Sequence, residues 1–501
     1  MEPNLSHETV KINQEIYSGA LEQPIELEYQ LPDYYPGIFK MLQFRLEPHI
    51  CSCRTSGDQI TLDGEAVMKL IYVDEENGFL RTLRQNIPFS KTIKLKSDPV
   101  QEAIFYDVKT NYANCRIVSP RKIDVKGSLT IFLKVQGQRE EMILSGAEKE
   151  GIELNCNSAS ITSDQIWTTR QFGISEQIEL NPPAQEILDI RINSVASECK
   201  IISNKAITKG EAYISVLYCP QGKNTPILNK TTTQISQIID MIGIEEDFLC
   251  DVRYDVTSIS GDLAENGSVL NVDADVTVNG CAMISKNVNL VTDAYSTEYE
   301  INTTIKEINS SNVLSLINEN IVLNETIEKF DFYKLCDIYA NITDISHERV
   351  SDGFLFKARL SVAILGQNEE EGAEILEKTI PIEFKLKKDI EKESVDLDVN
   401  LVITKIDHEI LNGSLEMKIY INIGGFVFCN EKFMTLSDLI LDETKPKEKS
   451  NSALTLYYPE HGDSVWNIAK KFCTSPKAIM DANNLEDDVV ANKTMLIVPI
   501  V

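Results

Sequence analysis

Apolar and polar residues alternate in short runs along most of this chain. The runs are rich in Ile, Val, Thr and Tyr and are broken by Gly, Asn and Asp. Such alternation marks half-buried strands, whose side chains point to opposite faces in turn. It predicts antiparallel, sandwich-like β structure with one dry and one wet face per sheet. Helical periodicity is scarce, and outside the C-terminus the best helical candidate is Ile305 to Glu319.

The runs repeat. LDGEAVMKLIY at 62–72 matches TKGEAYISVLY at 208–218, so Gly64 and Gly210 stand 210 − 64 = 146 residues apart. A weaker third copy, around Gly353, follows at 353 − 210 = 143. Ile87-Pro88-Phe89 recurs as Ile380-Pro381-Ile382, with 381 − 88 = 293, two periods. Ile25-Glu26-Leu27 recurs as Ile178-Glu179-Leu180, and each unit ends near an alternating strand, at 126–133, 273–278 and 412–421. A period near 145 is too long for a solenoid and indicates a triplicated domain.

The pattern changes after residue 453. Leu454, Leu456 and Tyr458 alternate as one strand face, and Gly462-Asp463-Ser464 breaks the strand. Asp463 or Ser464 can cap the helix that follows, on which Val465, Ile468, Ala469 and Phe472 form an apolar stripe. Ser475-Pro476 opens a second helix with Ala478, Ile479 and Ala482 on its buried face. Asn483-Asn484 supplies a left-handed end, and an apolar strand closes the chain at 495–500. The fold class is therefore mainly β: three tandem β-sandwich-like repeat domains at 1–150, 151–300 and 301–442, a linker at 443–453, and a small β-α-α-β domain at 454–501. The linker, Glu443 to Ser452, has no apolar residue beyond Pro446 and reads as solvated and flexible.

The β-α-α-β order, with Gly-Asp-Ser-x-Trp-x-Ile-Ala and then Asn-Asn-Leu, resembles the LysM family. That resemblance implies a groove for peptidoglycan or other N-acetylglucosamine oligomers between two loops. The residues carried over are Gly462, Asp463, Ser464, Val465 and Trp466 on one side, and Asn484, Leu485 and Glu486 on the other. Trp466 is the candidate anchor for a glycan or a partner protein, or else a core residue.

Composition narrows the partners. With 77 acidic and 48 basic residues among 501, the net charge is −29, which opposes binding to nucleic acid or anionic lipid. The first residues hold no basic segment followed by an apolar one, so no signal peptide is expected. No stretch is apolar enough for a membrane helix. Eleven scattered cysteines, an odd number, suit reduced thiols in a cytosol. Only Cys51 and Cys53 lie close together, and two ligands do not make a zinc site. No nucleophile elbow, phosphate loop or metalloprotease motif occurs, and the five histidines are dispersed. No catalytic residue, metal or cofactor is expected.

Repeated β units with the Gly-Glu-Ala strand, at 64–66 and 210–212, and the Ile-Pro strand, at 87–88 and 380–381, followed by a single LysM module, resemble the SPOCS-domain spore-coat proteins of endospore-forming Clostridia. The resemblance covers nearly the whole chain. It implies a sporulation role in the mother-cell cytoplasm, at the forespore surface. There the family binds the coat-basement ATPase SpoIVA, partly through its LysM module, and tethers the coat. Sheet edges also offer a route to self-association. The competing readings are a peptidoglycan-binding anchor of wall or cortex and, ranked lower, a wall-remodelling enzyme.

Overall fold

The structure is a computed structural model that describes residues 5–95, 100–368, 372–392, 394–447, 454–460, 462–485 and 495–499. Strands β1 (Leu5–Gln30), β2 (Ile38–Ser56), β3 (Gln59–Asp74), β4 (Leu80–Lys94), β5 (Val100–Ser119) and β6 (Lys122–Ala147) form the first unit. They pair antiparallel as two three-stranded sheets, β2-β3-β4 and β1-β6-β5. The same order recurs in β7 (Ile152–Glu179), β8 (Ala184–Ile202), β9 (Lys205–Pro220), β10 (Ile227–Asp240), β11 (Leu249–Leu263) and β12 (Val269–Ser296). It recurs again in β13 (Tyr299–Ile327), β14 (Lys334–Val350), β15 (Gly353–Asn368), β16 (Gly372–Lys387), β17 (Val395–Leu411) and β18 (Ser414–Pro446).

Alternation places one face of each sheet in a core. In the first unit Met68, Leu70 and Tyr72 of β3 meet Leu129, Ile131 and Leu133 of β6. Ile214, Val216 and Tyr218 of β9 and Val276 and Val278 of β12 take these places in the second unit. Val362 and Ile364 of β15 and Ile421 and Ile423 of β18 take them in the third.

Gly64 and Gly210 occupy the same position, opposite a β-bulge after Ile50 and after Ala196. The bulged backbone comes so close that a Cβ at Gly64 would strike the His49 carbonyl, and one at Gly210 the Val195 carbonyl and the Tyr254 ring. The third unit differs from the sequence expectation. Pro381 of the Ile-Pro strand pairs with Arg359, as Pro88 pairs with Glu65, so Ala358 and not Gly353 is the counterpart of Gly64. The irregularity opposite Ala358 is wider, between Thr343 and Ser346, and includes Asp344 at φ 51°. A methyl group occupies the place where the other units need a hydrogen, and the facing strand gives way. The Ile-Glu-Leu identity is also out of register, because Leu180 is the counterpart of Leu31: each donates its N–H just past the first strand, to Ser268 and to Arg121.

Two further expectations fail. Ile305 to Glu319 is not helical but lies within β13, paired with β18 along its length. Cross-strand pairing and burial outweigh a short helical period there. The expected linker begins late, since β18 continues through Pro446; residues 448–453 lie outside the described residues.

The three sandwiches surround an approximate three-fold axis. The equivalent pairs Leu42/Ile71, Leu188/Leu217 and Cys336/Leu365 meet in one cluster. Further along, Ile143, Leu290 and Phe433 meet with Ile12, Ile161 and Ile308. Between the units lies a cavity of about 750 Å³, lined mainly by the edge strands β2, β5, β8, β11, β14 and β17, with residues of β3, β4, β9 and β10.

Charged groups are buried beside the axis. Gln43, Asp189 and Asp337 are equivalent, as are Arg45, Arg191 and Tyr339. Arg45 of the first unit pairs with Asp189 of the second, and Arg191 of the second pairs with Asp337 of the third at 2.6 Å. The third such contact is missing, because Gln43 and Tyr339 replace the acid and the base. The Tyr339 ring instead receives the Arg45 guanidinium at 4.3 Å.

Candidate functional site

The C-terminal module has two strands and two helices. Strand β19 (Leu454–Tyr457) pairs antiparallel with β20 (Leu496–Pro499), and α1 (Val465–Phe472) and α2 (Pro476–Asn483) lie between them in sequence. Both helices begin as their residues dictate. Ser464 Oγ accepts from Asn467 N–H at 3.1 Å, and Ser475 Oγ accepts from Ala478 N–H at 3.1 Å, with Pro476 in the first turn. Helix α1 ends on Cys473 and α2 on Asn484, both left-handed at φ 53°. Val465, Ile468, Ala469, Ile479, Leu496 and Val498 form the core. The Asn483 amide donates to the Ile479 and Ile497 carbonyls at 2.7 Å each, fastening α2 to β20.

Most residues carried over from the LysM resemblance already have a structural task. Gly462 is exposed at φ 97°, a conformation that favours glycine. Asp463 does not cap the helix. Its carboxylate accepts from Glu460 N–H and from the Tyr457 hydroxyl, both at 2.9 Å, and these bonds hold it below the usual carboxylate range. Ser464 is the cap, and Val465 is fully buried. Asn484 is exposed and ends α2, Leu485 is half-buried against the core, and Glu486 lies outside the described residues. Of this set Gly462, Asp463, Ser464 and Asn484 reach solvent.

Trp466 is buried, at 7% exposure, but much of what covers it belongs to the second repeat. Its Nε1 donates to Asp293 at 2.9 Å, and its ring meets Tyr295 edge-on at 4.9 Å. Lys470, one turn on, donates to both Asp293 oxygens at 2.6–2.7 Å. The Tyr295 hydroxyl donates to the Thr474 carbonyl at 2.6 Å. Burial pushes the Asp293 carboxyl up, yet the bonds from Lys470 and Trp466 outweigh it and hold the group below the usual range. No local pattern announces Asp293 or Tyr295, which stand more than 170 residues from their partners.

Among the described residues no group of three or more His, Cys, Asp or Glu side chains could hold a metal ion. Cys51 lies in the β2 bulge and Cys53 two residues on, both half-buried. No helix among the described residues is long and apolar enough to cross a membrane.

The chain matches two family models. Residues 183–264, which hold β8 to β11, match the model described as the SPOCS domain of SipL. Residues 454–500 match a LysM model, described as the LYK4/5 LysM3 domain. No curated protein and no solved structure matches the chain. The chain thus resembles the SPOCS domain of SipL over residues 183–264 and LysM domains over its C-terminal module. The two domains are non-catalytic binding types and mark a sporulation-associated protein with a module of the peptidoglycan-binding class.

Proposed function

We propose that this chain is a non-enzymatic adaptor of the spore envelope. In this reading it acts in the mother-cell cytoplasm at the forespore surface, tethering the coat through protein contacts, with SpoIVA as the partner. The observation that carries it is the pairing of a SPOCS match with a LysM match, the latter on a module packed against the same β body. The three units near 1–150, 151–300 and 301–442 supply a large surface, and the module's exposed loops supply Gly462, Asp463, Ser464 and Asn484 for a protein or glycan. Trp466 serves as an anchor only after it leaves Asp293.

The LysM match also favours a second reading, an anchor on peptidoglycan. Pull-down of SpoIVA and sedimentation with purified peptidoglycan separate the two. The full chain and a chain ending at residue 447 are compared in both assays. Loss of SpoIVA binding on truncation supports the adaptor. Loss of peptidoglycan binding alone, with SpoIVA binding weak in both chains, supports the anchor and defeats the adaptor reading.

A further inference from the structure

The module sits against a pair of residues, Asp293 and Tyr295, that only one repeat possesses together. Asp293 follows a β-bulge after Val291, where β12 leaves its pairing register with β7. The same bulge recurs in the other units. In β6 it separates Leu144 from Gly146, and in β18 it separates Leu436 from Asp438. Leu144, Val291 and Leu436 meet in one cluster near the axis, which fixes the equivalence. The counterparts of Asp293 are therefore Gly146 and Asp438, and those of Tyr295 are Glu148 and Ile440. The first unit has neither the acid nor the ring. The third has the acid but carries Ile440, 60% exposed, where the second has a tyrosine that is 1% exposed beneath the module.

On the module, Trp466, Lys470 and Thr474 follow one another at four-residue intervals along one side of α1 and its end. All three engage Asp293 or Tyr295. Ile301, at the start of β13, packs beside them. This contact combines an aromatic pair, a charge-assisted clamp and a hydroxyl bonded to a carbonyl, which fixes orientation as well as position.

We propose that this side of α1 is an interaction surface whose occupant is the second repeat of the same chain. The module is docked in one orientation and not carried loosely on its connection. Docking withholds Trp466 from any outside ligand and leaves Gly462, Asp463, Ser464 and Asn484 in contact with solvent. The proposal concerns where the module sits and does not depend on what it binds.

Trp466 can report on its own docking. The chain has two tryptophans, so Trp167→Phe leaves Trp466 as the sole emitter. Acrylamide quenching of Trp466 is measured in the full chain with that change, and again with Asp293→Ala, Tyr295→Ala or Asp438→Ala added. The docked chain should quench weakly, and Asp293→Ala and Tyr295→Ala should each raise the quenching constant severalfold with a red shift in emission. Asp438→Ala, at the equivalent place in the third repeat, should change nothing. Far-UV circular dichroism reports whether Tyr295→Ala stays folded, and Asp293→Ala, at a half-exposed side chain, carries the test if it does not. Equal quenching in the parent and Asp293→Ala chains would overturn the proposal, as would equal release by Asp438→Ala.

Discussion

Replacing Asp189 by asparagine should be among the most damaging single changes in the chain. Its side chain is 3% exposed and faces three cations: Arg45, Lys69 at 3.0 Å and Arg191 at 3.3 Å. Glu47 joins Arg45 at 3.1 Å and Lys69 at 2.8 Å, and Asp337 joins Arg191 at 2.6 Å. Three cations thus balance three carboxylates. Burial alone would push the Asp189 carboxyl up, but Arg45, Lys69 and Arg191 hold it far below the usual range. Asp189→Asn keeps the shape and leaves one net positive charge buried between units. Breaking a buried pair in this way costs about 3–5 kcal/mol.

Urea unfolding followed by circular dichroism is the assay. With an m value of about 3 kcal/mol/M, a loss of that size moves the midpoint by about 1 M or more. Adding Lys69→Met removes one cation, restores the balance and should recover a substantial part of the loss. An exposed pair is the control: Asp240→Asn, opposite Lys205 at 3.8 Å, should cost less than about 0.5 kcal/mol. A midpoint for Asp189→Asn as close to wild type as that control would refute the charge-balance reasoning.

Gly210→Ala should destabilise the second repeat by about 1–3 kcal/mol or more, because its methyl would meet the Val195 carbonyl, a backbone group that cannot rotate aside; Ala358→Gly should cost much less, and thermal melts of both variants test the contrast. Ile468→Ala, at a site 1% exposed in the module core, should cost about 2–5 kcal/mol and largely unfold the small module, which hydrogen exchange would show as lost protection confined to residues beyond 454. Docking should weaken in acid: Asp293 has a lower pKa docked than free, so docking is complete above the ordinary aspartate value of about 3.9 and fades as pH falls from there through the docked value. Trp466 quenching that stays unchanged down to pH 3 in a folded chain would count against that prediction.

Much of the fold was legible because its cause is local. Alternation follows from the strand itself, and Ser464, Ser475, Pro476 and Asn484 act within one helical turn of the ends they define. The Gly64–Gly210 identity was informative because a close backbone approach excludes every side chain there. Gly353 misled for a complementary reason. It stands at φ 147° in a tight turn, where a Cβ would strike the Leu386 carbonyl, so its glycine answers to a different constraint. Ile305 to Glu319 carried a weak helical period because one strand there touches several neighbours, Ile308 in one intermodular cluster and Val313 in another. The docking of Trp466 was not legible, because no residue within a hundred positions of it takes part in the Asp293 clamp from the other side.

The departures from symmetry explain how a triplicated body avoids the ambiguity of triplication. Three identical repeats could assemble around their axis in equivalent orders and would offer three equal seats to one module. In this chain the axial ring has acid and base together only in the second unit, which therefore has a neighbour to engage on each side: Arg45 through Asp189, and Asp337 through Arg191. The first unit keeps only the base and the third only the acid, so the missing contact falls between them, where Tyr339 accepts Arg45 instead. The module's seat follows the same logic, with Asp293 and Tyr295 together only in the second unit. Unequal residues at equivalent positions thus fix the order of the units and the seat of the module. The same inequality blurs the repeats as sequence.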